Sequence, residues 1–453
     1  MTKPAPTSRD LAISILAGWS AAKGNLDNLS RKHFEVHPGL SDRDRHLVLL
    51  LTRGVLRQLE YLDFVIDRFS SVPLAKMKVL TLMALRVGVY QILFLSRIPD
   101  SAAVNETVRS LKKRRQPRWL TGFVNGLLRT VAREKKTIPP PTRAGSENGP
   151  LLNHPDWLIR RWEQRFGRQT TRSICRQNNT IPELCLRVNT RRLERVDLLN
   201  RLHALGIACR PGTYAPHSII IEEEGGGNPT VLPGFAEGDF QVQDEAAQLV
   251  TMLLAPVSGT ILDGCAGLGG KTSYLAQLGP PGTRLVAVEP DRQRFSLLEK
   301  NLSRLGLLDK MVELRQCTLQ DFAATTRHSF GSILLDVPCS GTGVIRRHPE
   351  IRWNRQPRDL AVLQAQQQRL LDLAASMLEK QNSRLVYVTC SLEAEENDQV
   401  IEHFLAVHPE FRIGNCAPLL PGRAQDLVDR QGFFRSLPCQ GLDGFFAALL
   451  VRK

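Results

Sequence analysis

The chain has 453 residues, 42% hydrophobic and 23% charged, enough for about three domains of ordinary size and typical of a soluble globular protein. Its formal charge of +15 is unevenly placed, since residues 1–150 hold 25 Lys and Arg against 12 Asp and Glu while the rest hold 35 against 33. Nine cysteines without a Cys-x-x-Cys pair argue against a disulfide framework or a zinc site, so no metal is expected.

The N-terminus, Met-Thr-Lys-Pro-Ala-Pro, lacks the apolar core of a signal peptide. The longest apolar region, Met77 to Leu95, is broken by Lys78 and Arg86 and reads as a core helix instead of a membrane span. A cytoplasmic, monomeric protein that avoids membranes is expected. Residues 8–136 read as all-helical, with helical apolar spacing in Leu47–Leu51, Val55-Leu56 and Leu62–Ile66. Ser41-Asp42 can cap one helix, and Ile98-Pro-Asp-Ser101 ends the core helix and starts another. The run Lys112-Lys-Arg-Arg115, with Trp119 close behind, can neutralise phosphates and stack on a base.

Ser41-Asp-Arg-Asp-Arg45, Arg53-Gly-Val-Leu-Arg57, Leu85–Phe94, Ala103-Val-Asn-Glu106 and Gly122-Phe-Val-Asn-Gly-Leu-Leu-Arg129 resemble the NusB-type helical RNA-binding domain. That resemblance makes RNA the expected anion for a domain over residues 1–136. Residues 137–150, with Pro139-Pro-Pro141, read as a linker. Residues 151–239 open with a helical pattern through Trp162 and Phe166. They continue with strand-like runs at Leu184–Val188 and Ser218–Ile221 and a helix at Val196–Leu205, and are read as a small α+β module.

From Phe240 to residue 453 strands and helices alternate, the pattern of an α/β doubly wound, Rossmann-like sheet. Strands are predicted at Thr260–Asp263, Arg284–Glu289, Val312–Arg315, Ser332–Asp336 and Arg384–Thr389, with a hairpin after Phe433. Helices are predicted at Lys271–Leu278, Asp291–Leu305 and Leu360–Leu378. The first strand runs into Asp263-Gly-Cys-Ala-Gly-Leu-Gly-Gly-Lys271, where Gly267, Gly269 and Gly270 permit a tight turn against a ligand. Such a turn also fits a dinucleotide, although the spacing departs from Gly-x-Gly-x-x-Gly and there is no Walker pattern. Glu289 closes the second strand, where a carboxylate can accept both ribose hydroxyls.

Two stretches carry reactive side chains to strand ends. One is Ile333-Leu-Leu-Asp336-Val-Pro-Cys339-Ser-Gly; the other is Arg384-Leu-Val-Tyr-Val-Thr-Cys390-Ser391, followed by Glu395-Glu-Asn397. With Val242-Gln-Asp244, the Asp263–Lys271 turn and Asp443-Gly-Phe-Phe446, they resemble the Sun/Fmu family of RNA cytosine-C5 methyltransferases. Leu186-Arg-Val-Asn189 resembles that family's RNA-facing strand. Joined to the NusB-like front, the chain is similar to members that methylate one cytosine of small-subunit (16S) ribosomal RNA.

The resemblance implies S-adenosylmethionine as cofactor, held by Asp263, Cys265, Ala266, Gly267, Leu268, Gly269, Gly270, Lys271, Glu289 and Asp336. It implies Cys390 as nucleophile, Cys339 as the group that assists breakdown of the adduct, and Asp336 on the N3 edge of the base. Two departures stand out: Gly267-Leu268 replaces the family's usual Ala-Pro, and Gln316-Cys-Thr318 lacks the acidic residue expected near the adenine. Arg346-Arg347-His348 is placed to meet phosphate or to form a solvated helix start. A non-catalytic RNA-binding factor would have eroded Cys339, Cys390 or the glycine turn, and adenine amino-methylation would call for Asn/Asp-Pro-Pro-Tyr/Phe in place of Asp-Val-Pro-Cys.

Overall fold

A computed structural model describes residues 6–453 except 142–150, 223–227, 257–258, 281, 310 and 382. Most of the linker expected over 137–150 therefore lies outside the described residues. The chain divides into two units, one of residues 1–180 with Ile345–Asn354 and one of residues 181–344 with 355–453.

The first unit is helical: α1 (Ser8–Ala22), α2 (Leu26–Val36), α3 (Asp42–Arg57), α4 (Leu59–Phe69), α5 (Val79–Phe94), α6 (Asp100–Lys113), α7 (Arg118–Glu134), α8 (Asp156–Phe166) and α9 (Arg168–Asn178). Ser41 caps α3 as its sequence predicts, its hydroxyl accepting Asp44 N at 3.1 Å. Helix α5 is buried without interruption from Met83 to Ile92, which makes it the centre of the unit. Its Arg86 is tolerated there because the two Asp63 oxygens accept its Nε and Nη2 at 2.7 Å each. Around it pack Leu16, Trp19, Leu51, Val55, Val124 and Leu128.

Helices α8 and α9 fall in this unit, as do residues 345–354. Arg346 is buried, Arg57 donates to its carbonyl at 2.9 Å, and His348 lies 3.5 Å from Asp27, so this stretch is structural within the helical unit. Arg352 is fully buried and donates to Asn153 O (2.8 Å), Asn178 O (2.9 Å) and Asn179 Oδ1 (2.6 Å). Trp353 donates to Leu56 O at 2.7 Å.

The second unit begins with a four-stranded antiparallel sheet of β1 (Leu184–Val188), β2 (Cys209–Pro211), β3 (Ser218–Ile221) and β4 (Phe240–Val242), in the order β2-β3-β1-β4. Phe240, placed at the start of the doubly wound domain from sequence, pairs instead with Val188 in this sheet.

The larger sheet contains β5 (Thr260–Asp263), β6 (Arg284–Val288), β7 (Val312–Arg315), β8 (Ser332–Asp336), β9 (Arg384–Thr389), β10 (Phe411–Gly414), β11 (Phe434–Arg435) and β12 (Phe446–Arg452). Its order is β10-β12-β9-β8-β5-β6-β7, with β11 beside β12. Strands β5 to β9 run parallel and β12 is antiparallel to β9. Alternate residues feed opposite cores: Ile333, Leu335, Leu385 and Tyr387 one way, Leu334, Val386 and Val388 the other. Strand order reverses between β5 and β8, and ligands bind outside the carboxyl ends of strands at such a reversal. Among the described residues no helix is long and apolar enough to cross a membrane.

Candidate active site

Every site residue expected from the sequence lies at or just beyond the carboxyl ends of β5, β6, β8 and β9. In the β5 turn, Gly269 has φ +84°, and a Cβ there would stand 2.5 Å from Leu298 Cδ1, so the turn needs glycine on both counts. The turn is held by Ala266 N donating to Val288 O (3.0 Å) and Gly269 N donating to Ala266 O (2.9 Å).

Glu289 is buried, and its two oxygens accept Gly267 N at 3.0 Å and Asp291 N at 2.8 Å. Each oxygen has a further lone pair for a ligand. Asp263 accepts the Thr272 hydroxyl at 2.7 Å on one oxygen, while the other is buried with no hydrogen-bond partner among the described residues. Burial raises its pKa from the usual 3.8 to about 6, against the pull of the Thr272 bond. Burial likewise pushes the Cys265 thiol up, helped by Asp263, Asp336 and Glu289. An acceptor without a partner beside a closed glycine turn suits a ligand with polar, hydrogen-donating groups. After β7, Thr318 caps the helix Leu319–Thr325 by accepting Asp321 N at 3.1 Å.

Lys271, from the first turn of the following helix, places Nζ 2.5 Å from Asp336 Oδ2. Burial works against its charge, but Asp336 more than offsets this and the lysine pKa is raised, with Cys390 and Asp263 adding to the effect. The ammonium also lies 5.1 Å from the Phe445 ring centroid.

The two strand-end cysteines meet. Parallel pairing sets Asp336 opposite Val388, and Val337 N donates to Val388 O at 3.1 Å, so both chains leave the sheet at the same level. Cys339 Sγ and Cys390 Sγ then lie 3.1 Å apart. The hydrogen bond to Cys390, followed by burial, holds the Cys339 thiol well above its usual pKa, that is, protonated. Gly343 closes the loop: its N–H donates to Cys390 O at 2.9 Å, and a Cβ on it would stand 2.0 Å from Gly444 O. The Asp443-Gly-Phe stretch thus reaches the site by close backbone approach.

Sequence reasoning missed the buried groups beneath these atoms. Arg187, in the stretch that resembles the family's RNA-facing strand, is wholly buried and donates to Gly270 O (2.6 Å), Ser273 Oγ (2.7 Å) and Gln243 Oε1. Its guanidinium carbon lies 4.6 Å from the Tyr274 ring centroid. Arg187 therefore braces the start of the helix that carries Lys271. Glu396 is likewise fully buried. Its only signal in the sequence is its place in Glu395-Glu-Asn397, just after Cys390.

Three family models match the chain. That of the 16S rRNA methyltransferase RsmB/F covers residues 251–451, the NusB family covers 6–133, and the RsmF/B-like ferredoxin-like domain covers 154–226. The chain is 32% identical to the probable ribosomal RNA small subunit methyltransferase B of Bacillus subtilis, over 98% of each chain. It is 35% identical to the ribosomal RNA small subunit methyltransferase B of Salmonella paratyphi B, over 91% of this chain and 92% of that one. Among solved structures, a methyltransferase homolog from Pyrococcus horikoshii matches with TM-score 0.56 and 28% identity, covering 67% of this chain and 96% of that one.

Proposed function

Since the chain belongs to the 16S rRNA methyltransferase RsmB/F family, we propose that it methylates carbon 5 of one cytosine in small-subunit ribosomal RNA through a covalent bond from Cys390 to carbon 6. The observation that carries this reading is the cysteine pair, 3.1 Å apart at the ends of adjacent parallel strands and next to the Lys271–Asp336 pair. A methyl transfer to oxygen or to an amino nitrogen has no use for a thiol there, because those atoms already carry a lone pair.

Carbon 5 of cytosine is a poor nucleophile until a sulfur adds to C6 and makes C5 enamine-like. Cys390 forms that S–C6 bond, and its thiol proton passes to the N3 side of the ring. Asp336 holds that edge by accepting the new N3–H, and Lys271 fixes the carboxylate in place. When bound, S-adenosylmethionine supplies the electrophilic methyl group. The turn from Cys265 to Gly270, with Asp263 and Glu289, is the cradle that fits it, Glu289 having lone pairs for the ribose hydroxyls. After transfer, the C5 proton passes to solvent water and its electron pair re-forms C5=C6, while the S–C6 bond breaks with its pair on Cys390, which regains the proton from N3. Cys339, its sulfur 3.1 Å from that of Cys390, assists that breakdown. A target base within a duplex must be swung out to reach the pocket.

The basic helical unit supplies affinity for the RNA backbone, and an activity on ribosomal RNA belongs in the cytoplasm. The test is a map of 5-methylcytosine in ribosomal RNA from cells with and without this protein. Loss of one methylated cytosine in 16S RNA is expected; an unchanged map would rule the reading out.

A further inference from the structure

We propose that Glu396 is a positioning residue that sets the spacing of the two cysteines, by tying together the serines that follow them. Its carboxylate is fully buried, and its bonds come from neutral groups. One oxygen accepts Ser340 N at 2.7 Å and Gln367 Nε2 at 2.9 Å. The other accepts both the Ser340 and the Ser391 hydroxyls, whose oxygens lie 3.0 Å from each other. A carboxylate only accepts, so both hydroxyls must donate to it and their rotors are fixed. Ser340 follows Cys339 and Ser391 follows Cys390, so one side chain locks the residue after each sulfur.

The clamp is itself anchored. Tyr387 OH donates to Glu396 O at 2.7 Å, Thr389 Oγ1 donates to Asn397 Oδ1 at 2.6 Å, and Asn397 Nδ2 donates to Ser391 O at 2.9 Å. All three bonds run back to β9 or to the Cys390 loop. On the other loop, Gln367 also donates to Pro338 O at 3.0 Å, and Arg355 donates to Ser340 O at 3.0 Å and Cys339 O at 3.2 Å. Glu396 and its two serines bridge the loops through side chains, beside Thr342, whose Oγ1 accepts Leu392 N at 2.9 Å. A charge placed so deep is worth its desolvation only while donors meet its oxygens, so these bonds hold both loops to it.

The effect of this clamp on turnover rests on the cysteine chemistry proposed above, but the spacing itself can be measured without any activity. Hydrogen peroxide converts two adjacent thiols into one disulfide and two waters, so the rate of Cys339–Cys390 disulfide formation in the full chain, read by peptide mass, reports how the loops are held. In Glu396→Gln this rate should fall by about fivefold or more, and kcat by about tenfold, with S-adenosylmethionine affinity and the KM for RNA nearly unchanged. Ser340→Ala and Ser391→Ala, milder changes that keep the charge satisfied by the remaining donors, should each show a smaller effect in the same direction. A wild-type disulfide rate in all three variants would overturn the proposal. So would a loss of kcat accompanied by equal losses in cofactor and RNA binding, which marks a general structural role. A wild-type protein that forms the disulfide but never methylates RNA would sink the proposed function and leave the clamp to be judged by its disulfide rates.

Discussion

Lys271 Nζ stands 2.5 Å from Asp336 Oδ2, so the residue that ends the glycine turn is bonded to the residue that opens the Cys339 loop. The two side chains are 12% and 29% exposed, which places the pair in a partly desolvated setting where losing one member is costly. The resemblance assigns Lys271 to the cofactor; its bond to Asp336 ties the glycine turn to the Cys339 loop.

Lys271→Met should therefore leave Asp336 unpaired and lower kcat by about a hundredfold, roughly 3 kcal/mol. Cofactor affinity should change far less. Single-turnover methyl transfer together with calorimetric titration of S-adenosylmethionine separates the two. If affinity falls while the single-turnover rate holds, Lys271 serves the cofactor alone.

The strands of the larger sheet are legible in the sequence because buried parallel strands are short apolar runs ending at turns. Ser332–Asp336 and Arg384–Thr389 are found at the predicted residues. The cysteine motifs are legible for a related reason, since a thiol just past such a run can only emerge at the sheet edge. What the sequence hides is the pairing of buried charges across long distances. Arg86 with Asp63, Arg187 with Gly270 and Ser273, and Glu396 with Ser340 all depend on elements meeting in space. The segment after Val344 is hard to read for the same reason: Arg346 is buried and His348 lies 3.5 Å from Asp27.

The basic run on α6 divides into two kinds of cation. Arg114 donates to Asp10 O at 2.7 Å and Ser14 Oγ at 2.6 Å, and Lys113 lies 3.3 Å from Asp10 Oδ2, so both hold α6 to α1. Lys112, Arg115 and Arg118 are exposed, and Trp119 is 72% exposed beside them. Replacing Lys112 and Arg115 by Ala should weaken RNA binding and flatten its salt dependence by about one unit of slope for each phosphate left unneutralised. Trp119→Ala should cost about 1–3 kcal/mol of RNA affinity if a base stacks there. Arg114→Ala should instead lower the melting temperature. Fluorescence anisotropy across a salt series, paired with thermal melts, checks the division; an unaltered salt slope in the double variant would refute it.

Asp263 gives a pH signature. Its pKa is about 6 in the fold against an ordinary 3.8, so the folded state binds more protons than the unfolded chain between those values. The contribution of this group to stability is then fully present below pH 3.8, is lost as pH rises towards 6, and stays flat above. Asp263→Asn cannot ionise, so its stability relative to wild type should rise from about pH 4 to about pH 6 and then level off. Denaturant titrations of the cofactor-free protein at several pH values measure the difference. A difference that does not vary with pH would place the Asp263 carboxyl in a solvated setting.

The two cysteines should fail in different ways. If Cys390 forms the bond to C6, Cys390→Ala leaves C5 unactivated and yields neither methylated RNA nor an adduct. If Cys339 acts only when the sulfur departs, Cys339→Ala still adds Cys390 to C6 and can still carry the methyl through transfer. Release then stalls, because the thiol held 3.1 Å from Cys390 is gone. A protein–RNA complex should persist in denaturing gels for Cys339→Ala, require S-adenosylmethionine for its methylated form, and vanish in the double variant. With the roles exchanged the pattern inverts: Cys390→Ala traps RNA and Cys339→Ala does not. Wild-type turnover in both single variants, with no trapped RNA, would make the sulfur pair structural and end the covalent mechanism.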